Sequence, residues 1–553
     1  MAAFRIPVGG EDFDEIRQKG NYYVDKSGLI YELVNNTTNK VTLFTRPRRF
    51  GKTLNMSMIG SFFDITRDSR AVFEGLEVSS HEDFCRQWMN QRPVLFVTFK
   101  GVEGLSFDSA ISRMKMTLSN VCQMLLYLDK SNKVTKTDTE KFNRLMDEKA
   151  TPEDIISSLL TLTRMLEAHF GRKAVLLIDE YDVPLAMANE NGYYREMLDV
   201  MRGVFQCAVK TNPHLEFAVI TGCLRIAKES IFTGTNNFAS YSILNEEFSQ
   251  YFGFTHSEVE TMLKIAGLED KAETIRSWYD GYIFGNSAVY CPWDVANYVA
   301  AAARNPKARP QNYWNNTSHN GVIRSFIDHT EYKVKLKFEE LMNGGTLRAT
   351  ISDELTYDLL HSSEQNLWSL LFMTGYLTKA DPEETGSEVS LRIPNREVSN
   401  IFETTSMQWF CDTLDRTKQK ELFAALWNED EPAASEILSD LLWKSISFHD
   451  YREDYYHGFL TGVFAGAGYA VSSNREQGLG RTDLVVLDPD NRRALILEAK
   501  KAEAEAAMER VCGEALEQIA ARRYAEDDSL YGYRTILCYG IAFYRKQALV
   551  NGR

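Results

Sequence analysis

Gly51-Lys52-Thr53 sits just after the apolar run Val41-Thr42-Leu43-Phe44, and much later Ala174-Val175-Leu176-Leu177-Ile178 runs directly into Asp179-Glu180. The first stretch has what a phosphate-binding loop needs. Gly51 lets the backbone come close to an anion, Lys52 can reach the β and γ oxygens of a nucleoside triphosphate such as ATP, and the Thr53 hydroxyl can bind Mg²⁺. A helix opening at Lys52 would aim its N-terminus at the phosphates. Asp179, at the end of a wholly apolar strand, stands where a Mg²⁺ ligand is needed, and Glu180 where a base would polarise the attacking water. A further apolar strand, Phe217-Ala218-Val219-Ile220, ends at Thr221-Gly222 with Arg225 nearby. Thr221 is a candidate γ-phosphate sensor. Arg225, with Arg202 as a second candidate, could stabilise transition-state charge in cis or in a neighbouring subunit.

The loop departs from the standard pattern GxxxxGK[ST]. Its eight residues are Arg46-Pro47-Arg48-Arg49-Phe50-Gly51-Lys52-Thr53, so Arg46 stands where the first glycine belongs. Arg46, Arg48 and Arg49 add positive charge near the triphosphate or another anion. A Gly-Lys-Thr triplet alone is common by chance, Asp179-Glu180 alone reads as a helix cap, and Arg225 or Arg202 alone reads as a surface arginine on a loop. The pairing of loop and carboxylates favours the nucleotide.

A second constellation lies near the C-terminus. Asp483 opens the apolar strand Leu484-Val485-Val486-Leu487, Asp488-Pro489-Asp490-Asn491 reads as a turn, and Ala494-Leu495-Ile496-Leu497 ends at Glu498-Ala499-Lys500. Residues i and i+2 of a strand point the same way, so Glu498 and Lys500 share a face, and the hairpin can bring Asp483 to them. Two carboxylates can hold Mg²⁺ beside a scissile phosphate, while Lys500 orients or activates water. Glu476 could join the metal shell. His457 could reach the site from the preceding helix, although a histidine packed in that helix is the plainer reading. Lys501, Arg510, Arg522 and Arg523 could track a phosphate backbone. A surface ion-pair cluster would show the same residues.

These groups need elements to hold them. Strand 41–45, helix 52–63, strand 93–99, helices 107–128 and 152–169, strand 174–178, a helix near 193–210 and strand 215–221 alternate as in a parallel sheet covered on both faces. Beyond about 250 the spacing is helical at 255–266, 269–279 and 292–303, with few strand signals, as in a helical lid or adaptor. A helix over 354–375, then Tyr376–Lys379, a polar turn and Val389–Ile393 fit a winged helix, or a hairpin that packs on helices. Helices continue over 398–443, and from 455 the order is helix, strand, strand, helix, strand. The expected domains are a P-loop ATPase at 1–248, a helical lid or adaptor at 249–350, a helical and possible winged-helix region at 351–445, and a nuclease-like α/β domain at 446–553.

Composition sets limits on partners. The 553 residues are 44% hydrophobic and 25% charged with a net charge of −15, ordinary for a globular protein with a large core. Nucleic acid would have to meet a local basic groove on an acidic molecule. The eight cysteines form no CxxC pair, which argues against zinc or redox chemistry and suits a reducing cytosol. Met-Ala-Ala-Phe-Arg-Ile-Pro carries no apolar signal region, and runs such as Leu370-Leu371-Phe372-Met373 fall short of a membrane span. The expectation is a cytoplasmic protein with no membrane partner.

Taken together, Tyr22-Tyr23-Val24-Asp25-Lys26, the loop Arg-Pro-Arg-Arg-Phe-Gly-Lys-Thr, Ile178-Asp179-Glu180-Tyr181-Asp182, Thr221-Gly222, Trp278-Tyr279-Asp280-Gly281-Tyr282 and Pro292-Trp293 resemble the bacterial AAA-ATPase-like family across nearly the whole chain. Arg46 is typical of that family's phosphate loop. The resemblance implies a C-terminal domain of the PD-(D/E)xK nuclease superfamily. Within it Gln518, on a helix with Ile519 and Tyr524, resembles the QxxxxxY element of such nucleases. The expected α/β fold is thus a P-loop NTPase parallel sheet, a helical adaptor, and a nuclease-like domain. The expected function is ATP and Mg²⁺ binding with slow hydrolysis, coupled to metal-dependent action on DNA or RNA. Glu180, Asp483, Glu498, Lys500 and Gln518 are the catalytic candidates. Arg49, Gly51, Lys52, Thr53, Asp179, Thr221 and Arg225 are the nucleotide-binding candidates. Thr53, Asp179, Asp483 and Glu498 are the metal ligands, and a homo-oligomer is a candidate assembly. The rivals are an ATP-gated signalling or scaffold protein whose nuclease-like domain only binds, and a nuclease with a dead nucleotide pocket.

Overall fold

The computed structural model describes residues 4–35, 39–210, 212–225, 238–314, 337–338, 340–353, 355, 363–384, 386–402, 416–444, 456, 459–460, 463–464, 470–477, 480–489, 491–522, 530 and 532–553, with backbone only at 416, 443–444 and 470–483. The chain forms two compact units, one of Met1–Ser318 with Arg348–Val398 and one of His319–Leu347 with Ser399–Arg553.

The first unit is built on strands β1 (Val41–Thr45), β2 (Val94–Thr98), β3 (Ala174–Asp179), β4 (Leu215–Gly222) and β5 (Phe238–Tyr241). Their order is β2-β3-β4-β1-β5, and every neighbouring pair is parallel. Parallel neighbours need crossovers that cover both faces of a sheet, so the central strands are largely apolar. On one face Leu176 and Ile178 join Leu43, Val97 and Ile220 against helices Phe107–Met124, Ser158–Phe170 and Tyr194–Phe205. On the other face lies helix Lys52–Phe63. Its Phe63 meets Phe217 of β4 edge-on at 5.3 Å. Its Gly60 comes so close to Leu177 that an added Cβ would sit 3.4 Å from that side chain. Two expected helices are interrupted. Residues 152–170 form Pro152–Ile156 and Ser158–Phe170, and a π turn at Gln206–Lys210 follows Tyr194–Phe205.

The region beyond residue 250 holds more strand than expected. Strands β6 (Phe254–Thr255), β7 (Tyr282–Phe284) and β8 (Ser287–Tyr290) form a small sheet in the order β6-β8-β7. The β7–β8 hairpin turns on Gly285-Asn286, a pair suited to two-residue turns. Helices His256–Ala266, Ala272–Tyr279 and Pro292–Arg304 agree with the helical spacing. Strands β9 (Leu347–Thr350), β10 (Thr378–Lys379) and β11 (Glu388–Arg392) form a third sheet, with helix Glu364–Met373 preceding the β10–β11 hairpin.

The second unit carries helices Arg416–Trp427 and Glu431–Lys444, and strands β12 (Ala470–Gln477), β13 (Gly480–Asp488), β14 (Arg493–Lys501), β15 (Thr535–Tyr544) and β16 (Gln547–Gly552) in sequence order. β14 and β15 run parallel, joined through helix Met508–Ala521, and the other pairs are antiparallel. The edge strands β12 and β16 were not expected. Edge strands bury little, and Ser472-Ser473-Asn474-Arg475-Glu476-Gln477 has no apolar run to signal one.

Leu177 is fully buried between the sheet and helix Lys52–Phe63. Leu177→Ala is expected to cost about 2–5 kcal/mol, read as a lower urea midpoint for the first unit. An unchanged midpoint would remove Leu177 from the core.

Candidate functional site

Parallel strands gather ligands at their carboxyl ends, and β1, β4 and β3 end side by side. Thr53, on the first turn after the β1 loop, donates its hydroxyl to Asp179 Oδ2 at 2.8 Å. Thr221, at the end of β4, donates to Asp179 Oδ1. Asp179 is fully buried, so these hydroxyls keep its carboxylate from being stranded. Lys52 is buried too. Its Nζ donates to the carbonyls of Arg46 at 2.9 Å and Pro47 at 2.8 Å, and its charge acts on Glu180 and Asp182. Gly51 takes φ +81° at the helix N-cap, where no side chain caps the amides. A Cβ at Gly51 would meet nothing within 4 Å. The open amides, lysine, hydroxyl and carboxylate form a donor set suited to a Mg²⁺-triphosphate.

Glu180 sits at φ +53°, an uncommon conformation for this residue type that tends to occur at functional sites. Burial raises its carboxyl, against the opposing pull of Lys52. Beside it, Asp182 Oδ2 accepts the amides of Cys223 at 2.9 Å and Leu224 at 3.0 Å, and Tyr181 donates to the Leu224 carbonyl at 2.7 Å. Burial raises Asp182, while those amides oppose the rise. A Cβ on Gly222 would come within 2.6 Å of the Tyr181 ring, so the turn that follows Thr221 requires glycine. The sequence motif around Asp179 contained Tyr181 and Asp182, but nothing in their types showed that they clamp the end of β4.

The arginines do not all face the phosphate loop. Arg46 was expected to add charge near the triphosphate. Its side chain is instead fully buried, donating from Nη1 to the carbonyls of Thr45 at 2.9 Å and Tyr241 at 2.8 Å and lying 4.9 Å over Phe252. Burial pulls its guanidinium down to about 9, still charged at neutral pH. Arg49, at φ +71°, donates to the Tyr313 carbonyl at 2.6 Å and lies 4.1 Å over Trp293. Arg225 pairs with Asp353 at 2.9 Å and Arg202 with Asp199 at 3.1 Å. The Tyr22–Lys26 motif also does structural work. Lys26 donates to Glu258 at 2.7 Å and to the Gln250 carbonyl at 2.8 Å.

In the second unit Leu484 pairs with Leu497, so the antiparallel register sets position 483 beside position 498. Glu498 is buried and accepts from Gln518 Nε2 on helix Met508–Ala521. Lys500 follows at i+2 and is half-buried. Ala499, between them, joins the core on the opposite face. Glu476 lies in β12 beside Arg481. Lys501 and Arg522 are exposed, and the exposed Arg510 pairs with Glu514. His457, Arg523 and Tyr524 fall outside the described residues. Among the described residues no group of three or more His, Cys, Asp or Glu could hold a metal, and no helix is long and apolar enough to cross a membrane.

Comparison with known proteins gives two family matches. Residues 7–232 match the profile of a family described as predicted AAA-ATPase, and residues 451–552 match that of the PD-(D/E)XK nuclease superfamily. The chain carries an AAA-ATPase-like domain and a PD-(D/E)XK nuclease-superfamily domain. Along its whole length it is also similar to an uncharacterized protein in the vnfD 5′ region of Azotobacter chroococcum mcd 1. The two are 26% identical over 567 residues, spanning 100% of this chain and 99% of the relative. The AAA-ATPase-like match contains Lys52, Asp179 and Thr221, and the nuclease-superfamily match contains Asp483, Glu498, Lys500 and Gln518.

Arg46→Gly would restore the standard loop pattern. It would also leave the Tyr241 carbonyl without its buried donor and empty the space over Phe252. The expected result is a loss of about 2–3 kcal/mol, measured by denaturant unfolding. Equal or greater stability would mean that Arg46 is not a structural anchor.

Proposed function

We propose that the first unit binds ATP with Mg²⁺ and hydrolyses it slowly, and that the nuclease-superfamily domain cuts nucleic acid with the help of a divalent metal. The observation that carries the nucleotide reading is Asp179 accepting hydrogen bonds from both Thr53 and Thr221 beneath the uncapped start of helix Lys52–Phe63. The residues have the oxygen donors that Mg²⁺ prefers. Thr53 and Asp179 would hold it, and when bound it offsets phosphate charge. Lys52 and the open amides of the loop bind phosphate oxygens. Thr221 senses the terminal phosphate, and Glu180 orients a water and accepts its proton. Arg225 remains a candidate for steadying charge, in this chain or toward a second copy.

At the second site Asp483 and Glu498 would hold the metal, which when bound polarises a phosphodiester. Gln518 positions Glu498, and Lys500 orients the attacking water. In this reading residues 1–248 are the ATPase, 249–350 the lid, 351–445 an adaptor, and 446–553 the nuclease-like domain. DNA or RNA is the substrate in the cytoplasm.

The test uses the full chain. Mg·ATP binding is expected in the parent and lost in Lys52→Ala. Glu180→Gln is expected to keep binding but hydrolyse roughly 10²- to 10⁴-fold more slowly. A parent that millimolar Mg·ATP does not saturate would end the nucleotide reading. Metal-dependent cleavage of DNA or RNA is expected to vanish in Glu498→Gln. Cleavage that stays at the same background in parent and variant would leave a domain that only binds.

A further inference from the structure

Four of the five strands of the first sheet are entered through a basic residue. Arg92 stands two residues before β2, and Lys40, Lys173 and His214 stand directly before β1, β3 and β4. These strands are parallel and adjacent in the order β2-β3-β4-β1. The four residues therefore form one row across the amino ends of the sheet, the end opposite to Asp179. Backbone hydrogen bonds tie the row together. Val175 donates to the Pro93 carbonyl at 2.9 Å, Ala174 to that of His214 at 2.9 Å, and Ala218 to that of Lys40 at 2.8 Å. Neighbouring strands are about 4.8 Å apart, so the row spans about 14 Å.

The acids at this row are already paired. Arg92 meets Glu216 at 3.4 Å and His214 meets Glu167. Lys40 instead donates to the Asn212 carbonyl at 3.0 Å, and Arg172, next to Lys173, to the Gln91 carbonyl at 3.4 Å. Arg172 and Lys173 are exposed. The segments that lead into the four strands, 89–93, 171–173, 211–214 and 36–40, contain no Asp or Glu. Burial lowers Lys40, and the neighbouring charge of Lys173 lowers it further, with Glu216 and Glu167 opposing. Three cations, Lys40, Arg172 and Lys173, are thus gathered without an acid partner on a chain of net charge −15. Like charges held together in this way favour an anion between them.

We propose that this row is a docking surface for the sugar–phosphate backbone of nucleic acid. The proposal rests on the reading that the chain acts on nucleic acid, and it adds a surface that holds that substrate. A free phosphate would reach one or two of these cations, whereas an extended polyanion meets them all. Phosphates follow one another about every 3.4 Å along the axis of a strand, so about 14 Å of row faces about four of them. Contacts of this kind position a nucleic acid without reading its sequence, and they weaken steeply with salt.

The test is a fluorescence-anisotropy titration of labelled single-stranded and duplex DNA and RNA with the full chain. Divalent metal is left out so that nothing is cut, and salt is varied from about 50 mM to about 200 mM. Lys40→Gln/Arg172→Gln/Lys173→Gln is expected to flatten the plot of log affinity against log salt by roughly 2–3 and to weaken binding by roughly 10- to 100-fold at the higher salt. Arg172→Gln/Lys173→Gln, which alters only exposed side chains, should flatten it by about 2. Lys264→Gln/Lys307→Gln removes the same charge from exposed positions elsewhere and should leave the slope unchanged. Should the triple variant have a lower urea midpoint, the two double variants decide alone. Equal slopes in parent and row variants overturn the proposal. So does an equal fall in the control, or a row variant that binds as the parent does but sediments as a smaller assembly, which would make the row a contact between copies. Cleavage with metal but no metal-free binding removes the row and leaves the nuclease reading. Neither binding nor cleavage in the parent removes both.

Discussion

Asp179 joins three strand ends through one carboxylate. Thr53 lies 126 residues before it and Thr221 lies 42 after it, yet both hydroxyls donate to its two oxygens. This needs β4 between β1 and β3, all parallel, so that the three carboxyl ends stand side by side. Neighbouring strands are about 4.8 Å apart, which is within reach of short side chains. Without the two hydroxyls a buried carboxylate would be left unpaired at substantial cost. The polar cluster therefore holds the strand ends together, and the strand order makes the cluster possible.

The same balance explains the altered phosphate loop. A glycine is required where the backbone takes a left-handed conformation or lets another group approach closely. Arg46 needs neither, since it is not among the residues with positive φ, whereas Arg49 and Gly51 both have it. Arg46 can therefore be a large residue, provided its side chain leaves the loop. It does so by passing into the aromatic layer of Phe252 and Phe284 and donating to Tyr241 at the end of β5. The loop carbonyls remain free for Lys52, which rests on those of Arg46 and Pro47. The substitution thus exchanges backbone freedom for an anchor between loop and edge strand.

The central strands were legible because burial on both faces leaves continuous apolar runs such as Ala174–Ile178. Asp179 and Thr221 were legible because they end those runs. The edge strand β16 buries too little to leave such a mark, Ser472–Gln477 of β12 holds no apolar run, and the β7–β8 hairpin rests on six paired residues and a Gly-Asn turn. The direction of Arg46 was not legible, since arginine in a phosphate loop suggests phosphate, and only the Phe252 and Phe284 side chains from more than two hundred residues away supply the alternative. Gln518 was found through a family resemblance, and its contact with Glu498 depends on how helix Met508–Ala521 lies on the sheet.

The two sites depend on different geometric variables. The phosphate loop depends on strand order. The candidate residues of the nuclease-superfamily domain depend on strand register, because positions 483, 498 and 500 lie on adjoining strands. Shifting β14 by one residue would move Glu498 and Lys500 to the face now occupied by Ala499, where Leu495, Leu497 and Ile541 form the core. That slip is opposed from both sides. Leu484, Val486, Leu495 and Leu497 fill one face, while Val485, Ala494, Ile496 and Ile519 fill the other. A strand apolar on one face alone would turn that whole face to solvent in such a slip. β14, apolar on both faces, would instead drive the buried Glu498 into the core around Ala499. The charged pair at 498 and 500 is therefore held in place by the apolar residues on both faces around it.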